Sequence, residues 1–181
     1  NYEGRDKRDT LGSSLRVAYD APWFKMTSIT AYRGYNDVTR NDQDFMPYDL
    51  ITAKEDIKDR QFTQEFRFAS PEGSGPLKWL GGLYLYKKHQ DHTLDLNYGQ
   101  GAADMGMVPM AMTNTADSDI KTYGYAVFGQ ATYTLFDKLD LTAGLRYEYE
   151  KNKLDYTSDY LAGGMVVPGM GSDIRGRKHD D

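Results

Sequence analysis

Hydrophobic and polar residues alternate with a period of two along much of the chain, which predicts β-strands rather than helices. Within residues 139–150 the odd positions are Leu, Ala or Tyr, and the even positions are polar or Gly. Residues 123–135 have a similar alternation, and only residues 136–138 separate the two segments. Alternate side chains of a strand face opposite sides of a sheet, so these segments predict a hairpin with one apolar and one polar face.

The same pattern predicts two more hairpins, giving about six strands within residues 12–35, 61–93 and 120–156. Residues 77–86 are apolar at both parities, so the sequence does not assign their faces. Gln64 interrupts an otherwise apolar set of alternate Phe residues.

The connections between these strands differ in length. Short turns are predicted at residues 20–22, 70–76 and 136–138, and long loops at about residues 36–60, 94–119 and 157–181. Long structureless loops are uncommon in compact soluble domains. Short turns at one end and long loops at the other, with strands of about 9–11 residues or more and Tyr near the strand ends, are typical of outer-membrane barrels. The pattern therefore predicts an all-β, antiparallel up-and-down arrangement of hairpins.

Composition narrows the class of protein. The chain has 181 residues, enough for one domain or a large piece of one, and a mean hydropathy of -0.71. No run of about 18 apolar residues is present, which excludes transmembrane helices. The net charge of -5 disfavours nucleic acid as a partner. The absence of cysteine excludes disulfides and thiolate metal sites.

Catalysis finds little support in the sequence. None of the three histidines lies in a motif with a nucleophile or a metal-binding helix. His89 and His92 are three residues apart and therefore face opposite sides of a strand, so we expect no metal site shared between them. The sequence indicates a protein that is not an enzyme and needs no cofactor.

One loop is rich in methionine, at Met105, Met107, Met110 and Met112. Closely spaced thioethers can bind Cu(I). Met is also a flexible apolar residue that fills irregular gaps without any metal, and this second interpretation is favoured. An acidic stretch at residues 41–44 lacks the Gly and Glu of an EF-hand loop, so a solvated loop is favoured there over a calcium site.

Five stretches together resemble the TonB-dependent outer-membrane receptors. They are Ser-Ile-Thr-Ala-Tyr-Arg at 28–33, Gln-Glu-Phe-Arg-Phe-Ala-Ser-Pro at 64–71, Trp-Leu-Gly-Gly-Leu-Tyr at 79–84, Tyr-Ala-Val-Phe-Gly-Gln-Ala-Thr-Tyr at 125–133 and Leu-Thr-Ala-Gly-Leu-Arg-Tyr at 141–147. The resemblance implies a plugged transmembrane barrel of about 22 strands. We therefore expect residues 1–181 to be an internal piece of the barrel, with the plug and the barrel ends absent.

The resemblance also implies a function and a location. Such receptors take up a scarce nutrient across the outer membrane of Gram-negative bacteria, and an iron-siderophore complex is the default cargo. The implied partners are outer-membrane lipid, a TonB-type energy-coupling protein that acts through the plug, and a small extracellular ligand such as a ferric siderophore.

Charged side chains that alternate with the apolar set would then face the barrel interior or the plug. The candidates are Glu65, Arg67, Gln130, Arg146 and Glu148. Wide barrels have a wet or protein-filled interior, so these groups can form ion pairs between strands or with the plug, or can contact ligand directly. The ion-pair interpretation is the simpler one.

Two other classes of protein also fit the alternation. One is a soluble β-sandwich carbohydrate-binding module that holds its ligand through Tyr and Trp. The other is a small self-contained outer-membrane barrel that acts as an adhesin or structural protein. Such barrels begin at about eight strands, which is more than the six predicted here.

Overall fold

The computed structural model describes residues 4–46, 48–73, 75–136 and 138–180, with side chains through Ile174. Its elements are β1 (Arg5–Asp20), β2 (Lys25–Asp42), β3 (Ile51–Ala69), β4 (Leu77–Tyr98), α1 (Gln100–Asp104), β5 (Met112–Leu135), β6 (Leu139–Ala162), β7 (Met165–Val166) and β8 (Ser172–Asp180). Among the described residues, no helix is long and apolar enough to cross a membrane.

The strands form one antiparallel sheet in which each strand from β1 to β6 pairs with the next. β7 and β8 both pair with β6, along different parts of its length. The predicted all-β, up-and-down arrangement is confirmed. The described chain has eight strands rather than about six, because β7 and β8 lie in a segment that the sequence pattern predicted to be a loop.

The strands are also longer than predicted, at 16 to 24 residues from β1 to β6. The predicted loop at 36–60 is reduced to residues 43–50, and the one at 94–119 to residues 99–111. Beyond the apolar band most side chains are polar on both faces, with few apolar ones among them, so the period of two is weak there. The backbone ladder continues without it, because strand pairing needs only the N–H and C=O groups.

The register sorts the side chains into two faces, since residues paired across strands lie on the same face. One face, here called the banded face, carries a band of exposed large apolar residues. The apolar band consists of Leu11, Leu15, Val17, Tyr19, Tyr32, Phe62, Phe68, Leu77, Trp79, Leu85, Tyr123, Tyr125, Val127, Tyr133, Leu139, Leu141, Leu145 and Tyr147. The opposite face is here called the polar face.

The band covers only the half of the sheet near the short turns. On β4 it spans Leu77–Leu85, nine residues or about 30 Å along the strand. A tilt of about 40° gives a height of about 23 Å, close to the apolar band of an outer-membrane barrel. The strands then continue beyond the band towards the longer loops, with charged residues on the banded face.

The register also resolves two ambiguities of the sequence. The odd residues of β4 share a face with Tyr125 and Val127 of β5, so they belong to the banded face and the even residues to the polar face. Gln64 lies on the banded face, where its amide donates to Ser28 Oγ at 2.9 Å and accepts from Thr30 Oγ1 at 2.5 Å. These neighbouring hydroxyls satisfy the amide within an otherwise apolar surface.

A single sheet leaves little room for a core. The buried hydrophobic residues of the described chain are Leu50, Ala53, Ala102, Met112 and Ala126. The first four lie near the longer loops, where backbone hydrogen bonds from Gly99 and Gly101 to Leu50 and Asp49 join the start of α1 to the loop before β3. This contact ties the two loops together.

Candidate functional site

The candidate residues lie on the polar face, in two neighbouring rows of the register. One row runs across β3 to β6 as Arg67, Gly82, Phe128 and Arg146. The next row runs as Glu65, Tyr84, Ala126 and Glu148. Two Arg-Glu pairs therefore occupy equivalent positions on β3 and β6, about 14 Å apart at the usual strand spacing.

In each pair the Arg side chain donates hydrogen bonds to the Glu of its own strand. Arg67 donates to Glu65 through Nε at 2.6 Å and through Nη2 at 3.0 Å. Arg146 donates to Glu148 Oε2 through Nε at 3.2 Å and Nη2 at 3.1 Å, and its guanidinium lies 6.0 Å from the Phe128 ring centre. Residues two apart on a strand share a face, which is why the pattern alone could bring these partners together.

Between the two pairs, aromatic rings and small residues alternate, and the small residues are covered rather than open. Gly82 lies beside the Phe128 ring, and Ala126 is fully buried in the row of the glutamates. Gln130 lies two residues after Phe128 on the same face of β5, opposite Gly144, and is exposed. Tyr86 extends the polar surface in the other direction by donating its hydroxyl to Glu150.

The chemistry that this arrangement offers is recognition. It presents guanidinium donors, carboxylate acceptors, a phenol and an aromatic ring on one face of the sheet. Arg67 and Arg146 keep about half of their side-chain surface exposed, and exposed ion pairs add little to stability. Their donors are therefore accessible to whatever covers this face.

The carboxylates near the longer loops are engaged by the protein itself. Asp37 and Asp59 lie in β2 and β3, are buried, and pair with Arg8 and with Lys88 at 3.1 Å. The Asp37 carboxylate raises the pKa of Arg8 through a hydrogen bond and its charge. Asp44 accepts from the backbone N–H of Met46 at 2.8 Å and of Ile51 at 2.7 Å, so it stabilises the turn before β3.

The four methionines differ in their surroundings. Met105, Met107 and Met110 are in the loop between α1 and β5 and are more than half exposed. Met112 begins β5 and is buried. The structure thus places three thioethers at the surface and one in the small core, and the Cu(I) hypothesis stays a prediction.

The two strand histidines face opposite sides of the sheet. His92 Nε2 lies 2.7 Å from Glu55 on the polar face. On the banded face, His89 Nε2 lies 3.1 Å from Asp119 and 3.2 Å from Asp91.

The sequence pattern did not predict the cluster of His89, Asp91 and Asp119, whose donor atoms lie within 4.8 Å of one another. The Lys121 ammonium already contacts Asp119 at 3.0 Å. Burial opposes ionisation of Asp119, but hydrogen bonds from Lys121 and His89 outweigh it and lower the pKa of the carboxyl. The contact between His89 on β4 and Asp119 on β5 depends on the pairing register of these two strands. A long loop joins the strands, so no local sequence pattern indicated the register.

Comparison with known proteins places this sheet in a family. Residues 1–171 match the model of the TonB dependent receptor-like, beta-barrel family. The fold is similar to that of the ferric yersiniabactin uptake receptor FyuA from Yersinia pestis, with a TM-score of 0.65 and 19% sequence identity over 97% of this chain. The chain spans 24% of the length of that receptor. Since the family model covers nearly the whole sequence, the chain belongs to the TonB-dependent receptor β-barrel family.

Proposed function

We propose that this chain is an internal part of the barrel wall of an outer-membrane receptor that imports a scarce nutrient with energy supplied through TonB. An iron-siderophore complex is the proposed cargo. Family membership supports the class of transporter. The fold similarity to the ferric yersiniabactin uptake receptor supports the cargo class.

The two-faced sheet is the observation that carries this proposal. Its apolar band is about as tall as the hydrocarbon core of an outer-membrane barrel, and the large side chains in it are exposed rather than packed on another layer. A soluble protein rarely exposes so large a continuous apolar patch. Lipid is the environment in which such a band is stable.

The polar face then lines the barrel interior. In this arrangement Arg67 and Arg146, with their partners Glu65 and Glu148, face the plug or the ligand path. Gln130 extends that surface towards the short turns. The loops at residues 43–50 and 99–111 form part of the extracellular vestibule, and the short turns face the periplasm.

The test is iron uptake by the full-length receptor in a host that lacks its own siderophore receptors. Cells are supplied with a panel of 55Fe-loaded siderophores, and accumulation is measured with and without TonB. The proposal expects TonB-dependent uptake of at least one complex. Uptake that does not depend on TonB, or no uptake of any complex by a receptor present in the outer membrane, would contradict it.

The alternative of a soluble β-sandwich carbohydrate-binding module is disfavoured by the same observation. A sandwich buries its apolar face against a second sheet. All described strands of this chain belong to one sheet, and its apolar face is exposed.

A further inference from the structure

A histidine and two aspartates meet on the banded face, beyond the apolar band on the side of the longer loops. His89 and Asp91 are two residues apart on β4, and Asp119 of β5 lies opposite Asp91. Residues two apart on a strand share a face, and so do residues paired across strands. The three side chains therefore converge, and their donor atoms lie within 4.8 Å of one another. These three residues are here called the His-Asp-Asp cluster.

The spacing within the His-Asp-Asp cluster is close to that of metal ligands. His89 Nε2 lies 3.2 Å from Asp91 Oδ1 and 3.1 Å from Asp119 Oδ2. Ligand atoms about 2.1 Å from a tetrahedral Zn²⁺ lie about 3.4 Å from one another. Small side-chain movements are therefore enough to bring all three donor atoms to bonding distance of one ion.

The imidazole nitrogen is shared between two acceptors. Nε2 of His89 carries at most one proton, so the two carboxylates next to it compete for one donor. A divalent ion in the place of that proton bonds to the ring nitrogen and to both carboxylates at once. It also balances the charges of Asp91 and Asp119.

Lys121 is the group that such an ion displaces. Its ammonium contacts the Asp119 carboxylate at 3.0 Å, and its side chain is 44% exposed. A lysine side chain is flexible and its ammonium is strongly hydrated, so it can turn into water when an ion takes the carboxylate.

The mixture of ligands indicates the class of ion. Calcium and magnesium prefer ligand sets made of oxygen, whereas imidazole together with carboxylate suits Zn²⁺ and similar divalent transition metals. A groove of about 490 Å³ borders Asp91 and Asp119. Through this groove an ion can enter from water, and a water molecule can supply a fourth ligand.

We propose that the His-Asp-Asp cluster is a binding site for Zn²⁺ or a similar divalent transition-metal ion. The ligands are His89 Nε2 and one carboxylate oxygen each from Asp91 and Asp119. The ion joins β4 to β5 beyond the apolar band. This inference goes beyond the proposed function and does not depend on the medium that the apolar band faces.

The test is Zn²⁺ binding by the full-length receptor in detergent, after a chelator has removed bound metal. Isothermal titration calorimetry gives the number of bound ions and their dissociation constants, and the absorption spectrum with Co²⁺ in place of Zn²⁺ reports the ligand geometry. His89→Ala should remove one ion from the titration or weaken its binding more than about 100-fold, since loss of a ligand's outer partner alone costs about 10–100-fold. Asp119→Ala should do the same.

His92→Ala is the matched control. This histidine is three residues away on the opposite face, where its Nε2 lies 2.7 Å from Glu55. The control should bind as many ions as the unmodified receptor, with the same dissociation constants.

Lys121→Gln tests the site in the other direction and does not depend on how the Ala variants fold. Removal of the competing ammonium should tighten binding of the ion about fivefold, the effect of one nearby charge in water. Lys138→Gln removes an exposed lysine from a short turn and should leave binding unchanged.

Four outcomes would overturn the inference. The first is a folded His89→Ala receptor that binds as many ions as the unmodified one with the same affinity, and the second is an equal loss in His92→Ala. The third is unchanged or weaker binding in Lys121→Gln. The fourth is displacement of Zn²⁺ by millimolar Ca²⁺, which would indicate an unselective acidic surface. None of these results bears on the proposed function, because uptake of 55Fe is measured separately.

Discussion

Two adjacent glycines on β4 have very different surroundings. A Cβ on Gly82 would lie 2.6 Å from the backbone oxygen of Phe66 and 2.5 Å from Cζ of Phe128, whereas one on Gly81 would meet its nearest atom at 3.6 Å. The first position is closed by backbone as well as by a ring, and the second is open. The absence of a Cβ at Gly82 thus allows the Phe66 backbone of β3 and the Phe128 ring of β5 to approach β4 closely on the polar face.

The glycine pair provides a matched test. Gly82→Ala should lower the free energy of unfolding by roughly 1–3 kcal/mol, the usual cost of overpacking. Gly81→Ala should leave it unchanged or raise it by up to about 1 kcal/mol, since Ala restricts the unfolded chain. Urea unfolding of the full-length receptor in lipid vesicles measures both. A larger loss for Gly81→Ala than for Gly82→Ala would contradict the structure.

Leu145 provides a test of which face meets lipid. It is 87% exposed near the middle of the apolar band on β6. Leu145→Arg should destabilise the receptor in vesicles by about 2–4 kcal/mol, the cost of Arg near the bilayer midplane. Gln130→Arg, at an exposed position on the polar face of β5, is the control and should cost less than about 1 kcal/mol. Equal costs for the two substitutions would contradict the assignment of faces.

At the scale of elements, β4 and β5 are joined beyond the apolar band by Asp119 and its partners. Its lowered folded-state pKa means that the ionised carboxylate stabilises the fold above the unfolded-state pKa, about 3.9. That contribution is lost as the pH falls through the folded-state pKa. The side chain is about one-third exposed, so the effect stays below about 1 kcal/mol.

The expected result is a small, pH-dependent difference between the receptor and its Asp119→Asn variant. The receptor should be the more stable at about pH 5, and the difference should shrink as the pH is lowered to about 3. Unfolding in urea across this range measures it. In a Lys121→Gln background the difference should be smaller, because one of the two donors is gone. A difference that grows on acidification would contradict the hydrogen-bonded carboxylate.

The elements also show what the sequence could predict. Alternation located the hairpins correctly where one face is apolar, as in residues 139–150. There, contact with lipid or a core requires an apolar side chain at every second position. Alternation failed at residues 51–60 and 112–119, which are strands with mostly polar side chains on both faces. A period in hydrophobicity arises only where the two faces differ strongly in polarity, and in these segments polar side chains occur on both faces although Ala53 and Met112 are buried.

The candidate site was predictable to a similar extent. Arg67 with Glu65, and Arg146 with Glu148, were placed on common faces because partners two apart need only strand geometry. Their alignment into shared rows was not predictable, since it depends on the register of β4 with β5 across the loop at residues 99–111. The cluster around His89 was missed for the same reason.

At the scale of the whole molecule, the banded face changes along the strands. The apolar band gives way to two rows that are rich in Lys and Arg, and the next row holds Lys58, Asp91, Asp119 and Asp155 from β3 to β6. Each zone crosses several strands that are distant in sequence. Neighbouring zones differ by only one or two register rows, so a shift of two residues between strands would place lysines within the band. The match between zones across strands therefore helps to specify the register.

The strands continue well beyond the band, so the proposed orientation in the membrane places the loop tips well above the membrane surface. On β5, residues 112–121 extend the ladder by about 33 Å along the strand, or about 25 Å in height at a tilt of about 40°. The tips at residues 43–50 and 99–111 contain no Lys or Arg, whereas the first contains Phe45 and Tyr48, both exposed.

Cell-surface proteolysis should therefore depend on the protease. Loop tips are preferred cleavage sites, and paired strands resist cleavage. Trypsin added to intact cells should leave both tips uncut although Lys54 and Arg40 lie close by in β3 and β2, while chymotrypsin should cut at the first tip. Immunoblotting of the receptor fragments measures the outcome, and trypsin cleavage within either strand would contradict the long ladders. The long paired strands and the absence of Lys and Arg from these two tips thus leave this part of the wall without an accessible site for a basic-specific protease.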